Sequence, residues 1–142
     1  MSTILLNLLF TAATLKYKLP PELLSSLCYI ESNHTITAIH KDDGTSNSVG
    51  ICQVKLKTAK SLGFKGTEKQ LMNPSINIEY AAKYLAFQQH RYHSITKAVV
   101  AYNRGNAKNL TRSKYSDKVI KYWRKKLNER RKCESNSCEY RP

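Results

Sequence analysis

The sequence predicts one mainly α-helical domain with at most one small β-hairpin. Apolar residues recur at helical spacing along most of the chain, for example at Leu23, Leu27 and Ile30. Residues that cap or break helices divide these stretches at short intervals. Between residues 40 and 54, an Asp-Gly pair and clustered Ser and Asn residues have instead the composition of a loop or hairpin.

The first two predicted helices meet at a pair of prolines. Residues 3–18 form an apolar run that ends in the basic "KYK", and Pro20 and Pro21 stop it. The second helix lies in "PPELLSSLCYIES", because proline is tolerated in the first turn of a helix. After it comes the predicted hairpin, in which "VGICQV" is either a brief strand or the entry to the next helix.

Caps and breakers set the bounds of the later helices. These are "KTAKSLGF" closed by Gly63, "TEKQLMNP" with a Thr67–Gln70 capping box, "NPSINIEYAAKYLAFQQHRY" capped by Asn73, "SITKAVVAYNRG" between Ser94 and Gly105, and "SDKVIKYWRKKLNERRK". No repeat or linker interrupts them. We therefore predict one domain over residues 1–132, followed by a disordered basic and polar tail at 133–142.

The chain is strongly basic. Its 142 residues include 24 Lys and Arg but only 10 Asp and Glu, which gives a formal net charge of +14. Residues 104–132 contain 12 Lys and Arg and 2 Asp and Glu, a balance of +10. Such a charge predicts an anionic partner, which could be nucleic acid, a membrane surface or an acidic polymer such as a cell wall.

The apolar N-terminal run "ILLNLLFTAATL" invites comparison with a signal peptide. The preceding "MST" carries no Lys or Arg, and the run is too short to span a bilayer. We therefore expect a core helix, no export signal and no stable membrane insertion.

Four cysteines fall into two pairs of different character. Cys28 and Cys52 lie in apolar contexts and are predicted to be small core residues. Cys133 and Cys138 lie in a polar segment and either form a local disulfide or stay free. Their spacing and the lack of nearby His partners argue against a zinc site, so no metal is expected.

Glu31 is the only acid between Glu22 and Asp42. It follows Leu24 and Cys28 at helical spacing, so it lies beside the apolar face in the last turn of its helix. Burial and the partial negative charge of a helix C-terminus both disfavour the ionised carboxylate. These circumstances suit a proton donor near neutral pH, although a helix-end Glu that points to water fits the spacing as well.

Four separated motifs then occur in a specific order. "ES" at 31–32 follows "LPPELL", and after it come "SVGICQV", "NPSINIEYAAKYL" and "AVVAYNRG". Together they resemble the lytic transglycosylase domain of the soluble lytic transglycosylase (SLT) type, which has a lysozyme-like fold. The resemblance covers roughly residues 5–125, with "YSDKVIKYW" similar to the family's closing helix.

This resemblance implies a peptidoglycan-cleaving enzyme in which Glu31 is the catalytic acid/base. Such enzymes cut the β-1,4 bond between N-acetylmuramic acid (MurNAc) and N-acetylglucosamine (GlcNAc), and they leave 1,6-anhydro-MurNAc ends. One carboxyl group suffices because the nucleophile belongs to the substrate, whereas the usual glycosidase needs two. No cofactor is implied.

The same resemblance implies the substrate-binding residues. Gly50 would let backbone approach the sugar, and Gln53 would hydrogen-bond to it. Tyr102 would hydrogen-bond near the acid or pack on the sugar, and Asn103 would support the cleft. Ser48 stands where animal-type lysozymes usually carry a second carboxylate. Gln53 could instead be an ordinary strand residue, and Tyr102 an aromatic core residue with a satisfied hydroxyl.

Several alternatives remain open at this point. His40 replaces a Ser that the family often has nine residues after its Glu, and the acids Asp42 and Asp43 lie in the loop. A hydrolytic muramidase that uses Glu31 with one of these two acids is the first alternative. A basic nucleic-acid-binding module is more distant, because no base-reading motif occurs. A virion or secretion component with a dead site is disfavoured by the intact Glu31.

The expected partners are therefore peptidoglycan glycan strands and not nucleic acid, and we expect a monomer. The expected place of action is the bacterial cell wall, reached from the periplasm or by delivery from a virion. The sequence does not choose between a phage protein and a secretion-system enzyme.

Overall fold

A computed structural model describes residues 1–41 and 46–136 of the chain. It contains seven helices in this part: α1 (Thr3–Lys16), α2 (Leu23–Ser32), α3 (Leu56–Ser61), α4 (Glu68–Leu71), α5 (Pro74–Tyr92), α6 (Ile95–Arg104) and α7 (Lys114–Asn136). Three two-residue strands, β1 (Ile39–His40), β2 (Ser48–Val49) and β3 (Val54–Lys55), form one antiparallel sheet in the order β1-β2-β3. The predicted mainly α-helical class is confirmed, and the predicted hairpin gains a third short strand.

The helix ends follow the capping signals of the sequence. Thr67 and Gln70 form a reciprocal capping box at α4, and the Asn73 side chain accepts a hydrogen bond from the Ser75 amide at the start of α5. Ser94 caps α6 through the Lys97 amide, and that helix ends at Gly105 with φ = 84°. Glycine adopts this left-handed conformation without steric cost, so α6 stops where the sequence predicts.

The core lies between α5 and the helices around it. α5 packs against α1, α3, α4 and α6, while α7 packs across α2 and α6. The predicted stripes are buried or half-buried: Leu23, Leu27 and Ile30 on α2, Ile78, Ala82 and Leu85 on α5, and Val119, Ile120, Trp123 and Leu127 on α7. α1 contributes Phe10 and Ala13 to this core, as expected of a structural helix. No helix in residues 1–41 or 46–136 is both long enough and apolar enough to cross a bilayer.

The prediction that Cys28 and Cys52 are small core residues is confirmed, but it did not include the bond between them. Both are fully buried, as expected, but they are joined by a disulfide with Cα atoms 4.3 Å apart. Their apolar sequence contexts are compatible with both a free thiol and a disulfide. The disulfide forms because α2 lies close to the β2–β3 turn. Cys133, on α7, is disulfide-bonded as well. Cys138 lies outside the described residues.

α7 continues beyond the predicted domain boundary at residue 132. It ends at Asn136, so its last turn lies in the stretch that the sequence predicted as a disordered tail. Arg130 donates to Glu134 at 3.1 Å, an i,i+4 ion pair of the type that supports exposed helix. Residues 137–142 lie outside the described part.

Candidate active site

Glu31 lies in the last turn of α2 with its side chain half-buried. The Tyr115 hydroxyl, from the first turn of α7, donates a hydrogen bond to Glu31 Oε1. Burial raises the pKa of Glu31 to about 7, and the hydrogen bond from Tyr115 opposes this rise. Near neutral pH, the carboxyl group therefore populates both protonation states, as a group that must give and take a proton requires.

Tyr115 is a site residue that the sequence reasoning missed. Burial and the adjacent carboxyl group raise its pKa well above the ordinary value for tyrosine, so its hydroxyl stays protonated and remains a donor. The spacing carries a signal for it, because Tyr115, Val119 and Trp123 follow one another at i, i+4 and i+8. The predicted last helix begins at Ser116, which leaves Tyr115 outside that stripe.

The turn between β2 and β3 is tied to three helices through two residues, Ile51 and Cys52. The hydroxyl of Ser32, the residue after Glu31 on α2, donates a hydrogen bond to the Ile51 carbonyl at 2.7 Å. Tyr102 on α6 donates to the Cys52 carbonyl at 2.8 Å, and the Cys52 amide donates to Asn77 Oδ1 on α5 at 2.9 Å. The disulfide adds a covalent tie to α2. These contacts fix Gln53, the next residue, relative to the acid.

Asn77 explains why a glycine stands at position 50. Its buried amide donates to the Val49 and Leu71 carbonyls, both at 2.9 Å. Gly50 has φ = 79°, and a Cβ atom there would lie 2.4 Å from Asn77 Nδ2. The position therefore excludes any side chain on both conformational and steric grounds. Gly50 is buried beneath the cleft and lines neither of its cavities.

Gln53 lies in the cleft with part of its side chain already engaged. Its Nε2 donates to the Ala38 carbonyl at 3.1 Å and to the Gly50 carbonyl at 2.9 Å. The residue has a left-handed backbone, with φ = 50°. This conformation is uncommon for a residue with a side chain, and the tied turn around it supplies the restraint that holds it.

An open cleft passes over Glu31 and consists of two adjoining cavities. One, of about 210 Å³, extends toward Tyr84 and Arg104, and the other, of about 510 Å³, extends toward Ile39 and His40. Both are lined by Glu31, Ser48, Gln53, Lys55 and Asn103. The structure thus brings together three of the predicted binding residues and the predicted acid.

Tyr102 contributes to the cleft in a different way from its neighbours. It lines the smaller cavity but is 8% exposed, and its hydroxyl is used by the Cys52 carbonyl. Tyr102 is therefore an aromatic core residue with a satisfied hydroxyl, and its direct part in sugar binding stays a prediction.

Glu31 is the sole acid that lines either cavity within residues 1–41 and 46–136. Ser48 lines both, and its hydroxyl is neutral. Asp42 and Asp43, the two possible acidic partners from the sequence, lie outside the described residues. In the described part of the chain, no group of three or more His, Cys, Asp or Glu residues could hold a metal ion.

Comparison with known proteins identifies the family. The family model of the transglycosylase SLT domain matches residues 8–124. This chain belongs to the transglycosylase SLT domain family. The match runs from the middle of α1 to the middle of α7, and it includes the helix that carries Glu31 and the tied turn.

Individual SLT-domain relatives are distant. The chain is 28% identical to protein IpgF of Shigella flexneri over 110 residues, which is 75% of this chain and 72% of that protein. It is 29% identical to the X polypeptide of Escherichia coli over 120 residues, 80% of this chain and 71% of that one. Among solved structures, it resembles an inactive mutant of the lytic transglycosylase Slt from Pseudomonas aeruginosa, with a TM-score of 0.69 and 18% identity. That match covers 86% of this chain but only 24% of Slt, so this SLT domain corresponds to about a quarter of the larger protein.

Proposed function

We propose that this SLT domain is a peptidoglycan lytic transglycosylase that cleaves the MurNAc–GlcNAc β-1,4 bond and leaves 1,6-anhydro-MurNAc ends. The observation that carries the proposal is Glu31, a half-buried acid with a pKa of about 7 in an open cleft. The solved Slt structure is that of a mutant in which a glutamate is replaced by glutamine, and that mutant is inactive. This agrees with a reaction that depends on one carboxyl group.

The proposed reaction needs one carboxyl group and no water. Protonated Glu31 gives its proton to the glycosidic oxygen as the bond from the MurNAc C1 atom to that oxygen breaks. The 6-hydroxyl of the same MurNAc then attacks C1 and forms the new C1–O bond. Its proton passes to the Glu31 carboxylate, which restores the starting state of the enzyme. Tyr115 holds the carboxyl group in place throughout.

The cleft residues would bind the sugars on either side of this bond. Ser48, Gln53 and Asn103 line both cavities and offer hydroxyl and amide groups, which suit the hydroxyl and acetamido groups of the substrate. Gly50 and Tyr102 would act indirectly, because their contacts hold the turn that carries Gln53.

The products test this proposal. Digestion of purified peptidoglycan should give muropeptides that are lighter by one water than hydrolysis products and that resist borohydride reduction, because they have no free reducing end. Products that are reduced by borohydride would identify a hydrolytic muramidase instead.

The double variant Asp42→Asn/Asp43→Asn tests the hydrolytic alternative directly. An inverting hydrolase holds its two carboxyl groups about 6.5–9.5 Å apart, and a retaining one about 5–5.5 Å apart, so loss of the second carboxyl group would abolish its activity. For the proposed transferase we expect most of the activity to remain, measured as release of soluble muropeptides. Ser46→Ala/Asn47→Ala serves as a matched loop control, since it changes neighbouring residues without removing an acid. A loss in the aspartate variant alone would favour the muramidase.

The exposed side of α7 is expected to add affinity for whole walls. Lys118, Lys121 and Lys125 recur at i, i+3 and i+7 and are all exposed. Their replacement by Gln should weaken binding to insoluble walls several-fold at low salt, with the difference lost at high salt because the Debye length falls to about 3 Å at 1 M. Sedimentation with walls measures this binding.

A triple variant of equal charge provides the control for that effect. Lys57→Gln/Lys60→Gln/Lys65→Gln removes the same charge from exposed positions outside α7. If both triple variants lose wall binding equally, net charge alone is responsible and α7 has no special part. If the α7 variant also cleaves short soluble glycans more slowly, the helix contributes to more than wall affinity.

The buried disulfide supports action in an oxidising compartment, where such bonds form and persist. The periplasm and the outside of the cell are compartments of this kind. The proposed partners are peptidoglycan strands, which the enzyme would meet there as a monomer.

A further inference from the structure

The smaller cavity of the cleft leads from Glu31 to a cationic region that the proposed bond cleavage does not use. Arg104, the last residue of α6, lines this cavity together with Thr58, Tyr84 and Gly105. Arg104 is exposed, and in residues 1–41 and 46–136 no acid forms an ion pair with it. Its charge is therefore open to a ligand in the cavity.

A second cation adds to the positive potential in this region. Arg91 donates to the Gly105 carbonyl at 3.3 Å, beside Arg104. Arg104 thus lines the same cavity as Glu31, which is the one acid that lines it within residues 1–41 and 46–136 and is half-protonated near pH 7.

We propose that Arg104 binds a carboxylate of the peptide stem that MurNAc carries, and that it makes peptide-bearing glycan the preferred substrate. This inference rests on the proposed function. The sugar rings and acetamido groups are neutral, and the lactyl carboxyl group of MurNAc is tied up in its amide bond to the stem, so in an intact strand the carboxylates that could meet this cation belong to the stem. The stem is attached to the same MurNAc residue whose C1 atom reacts, and it ends in free carboxylates. A guanidinium group is well suited to them because it can donate two parallel hydrogen bonds to one carboxylate.

The small size of the cavity brings bond cleavage at Glu31 and stem binding at Arg104 close together. Glu31 and Arg104 line the same volume of about 210 Å³, so a MurNAc residue at the acid would have its substituents within reach of the cation. The stem would then help to orient the sugar, and strands from which the peptides have been removed would bind less well. Because Arg104 is exposed, we expect a moderate effect, on the order of threefold to tenfold in KM.

The test compares two substrates in two variants. Peptidoglycan strands with intact stems are prepared alongside strands stripped of peptides by an amidase, in which the lactyl carboxylate exposed by this cleavage is capped as its methylamide, and kcat/KM is measured on both. The wild type should prefer the peptide-bearing strands. In Arg104→Gln, this preference should fall by about threefold to tenfold through a higher KM, with kcat changed little. Arg124→Gln, which removes an equal charge from the exposed part of α7, should retain the wild-type preference.

Three results would overturn the proposal. An unchanged preference in Arg104→Gln would show that the guanidinium does not bind the stem. An equal loss of kcat/KM on both substrates would show that it contributes to the binding of any glycan strand. Phosphate esters on the sugars carry a similar anionic charge and survive the amidase. If the effect of Arg104→Gln persists on stripped strands and disappears after phosphatase treatment, phosphate is the ligand and the stem is not. Failure of the wild type to cleave either substrate would instead refute the proposed function.

Discussion

Glu31→Gln is expected to lower wall clearing by a factor on the order of 100 or more while making the folded protein more stable. The amide keeps the shape of the carboxyl group but cannot give or take the proton. The wild-type group has a pKa of about 7 in the folded state and an ordinary value near 4.5 when the chain unfolds. Turbidity of a wall suspension and thermal unfolding measure the two effects.

The gain in stability has a definite pH dependence. Because the folded pKa is the higher one, the folded state binds more protons between about pH 4.5 and 7, and the stability of the wild type falls as pH rises through this window. Above pH 7, the carboxylate is ionised at a half-buried position, so Glu31→Gln should be more stable by about 1–3 kcal/mol. Below pH 4.5, the advantage should disappear. Wild-type activity should also decline above about pH 7, as the acid loses its proton before the reaction begins.

This pairing of effects separates catalysis from folding. Loss of activity together with a higher melting temperature at pH 8 can arise only if the carboxyl group serves the reaction and not the fold. Activity near that of the wild type in Glu31→Gln would refute the assignment. A lower melting temperature at pH 8 would show that the hydrogen bond from Tyr115 stabilises the carboxylate by more than its burial costs.

Removal of the buried disulfide is expected to have the second largest effect. Cys28 and Cys52 are separated by 24 positions, and closing a loop of this length stabilises the folded state by about 3–4 kcal/mol in the chain-entropy model. We expect Cys28→Ala/Cys52→Ala to lower the melting temperature by roughly 10 °C. Activity should fall as well, because the bond ties the helix of Glu31 to the turn that holds Gln53. Calorimetry and the release of muropeptides measure the two effects.

Cys133 provides the control. Cys133→Ser removes a disulfide-bonded cysteine in the last turn of α7, far along the chain from the cleft. This variant should retain activity and lose less stability. Equal melting temperatures for the wild type and Cys28→Ala/Cys52→Ala would contradict the stabilising role of the buried bond.

Local signals predicted the helices, whereas the cleft residues were named from the resemblance to the SLT family. Capping residues such as Thr67, Asn73 and Ser94 act over three residues or fewer, so their effect can be read from neighbouring positions in the sequence. The position of Glu31 beside an apolar stripe likewise indicated a partly buried acid, and its raised pKa agrees with that interpretation.

The features that the sequence reasoning missed depend on contacts between distant segments. The disulfide joins Cys28 to Cys52 only because α2 approaches the β2–β3 turn, and an apolar context alone cannot distinguish a bonded cysteine from a free one. Tyr115 reaches Glu31 across 84 positions. Gly50 was assigned to sugar contact, whereas its observed neighbour is Asn77, whose buried amide cannot be inferred from the glycine itself.

Digestion of peptidoglycan in water labelled with heavy oxygen tests the central claim most directly. If the 6-hydroxyl of MurNAc is the nucleophile and Glu31 carries the proton, no oxygen from water enters the new ends. Mass spectrometry should then find unlabelled 1,6-anhydro products. If a water molecule is the nucleophile, each new end carries one heavy oxygen and a free reducing group. Unlabelled anhydro ends would support the transglycosylase mechanism, and labelled reducing ends would contradict it.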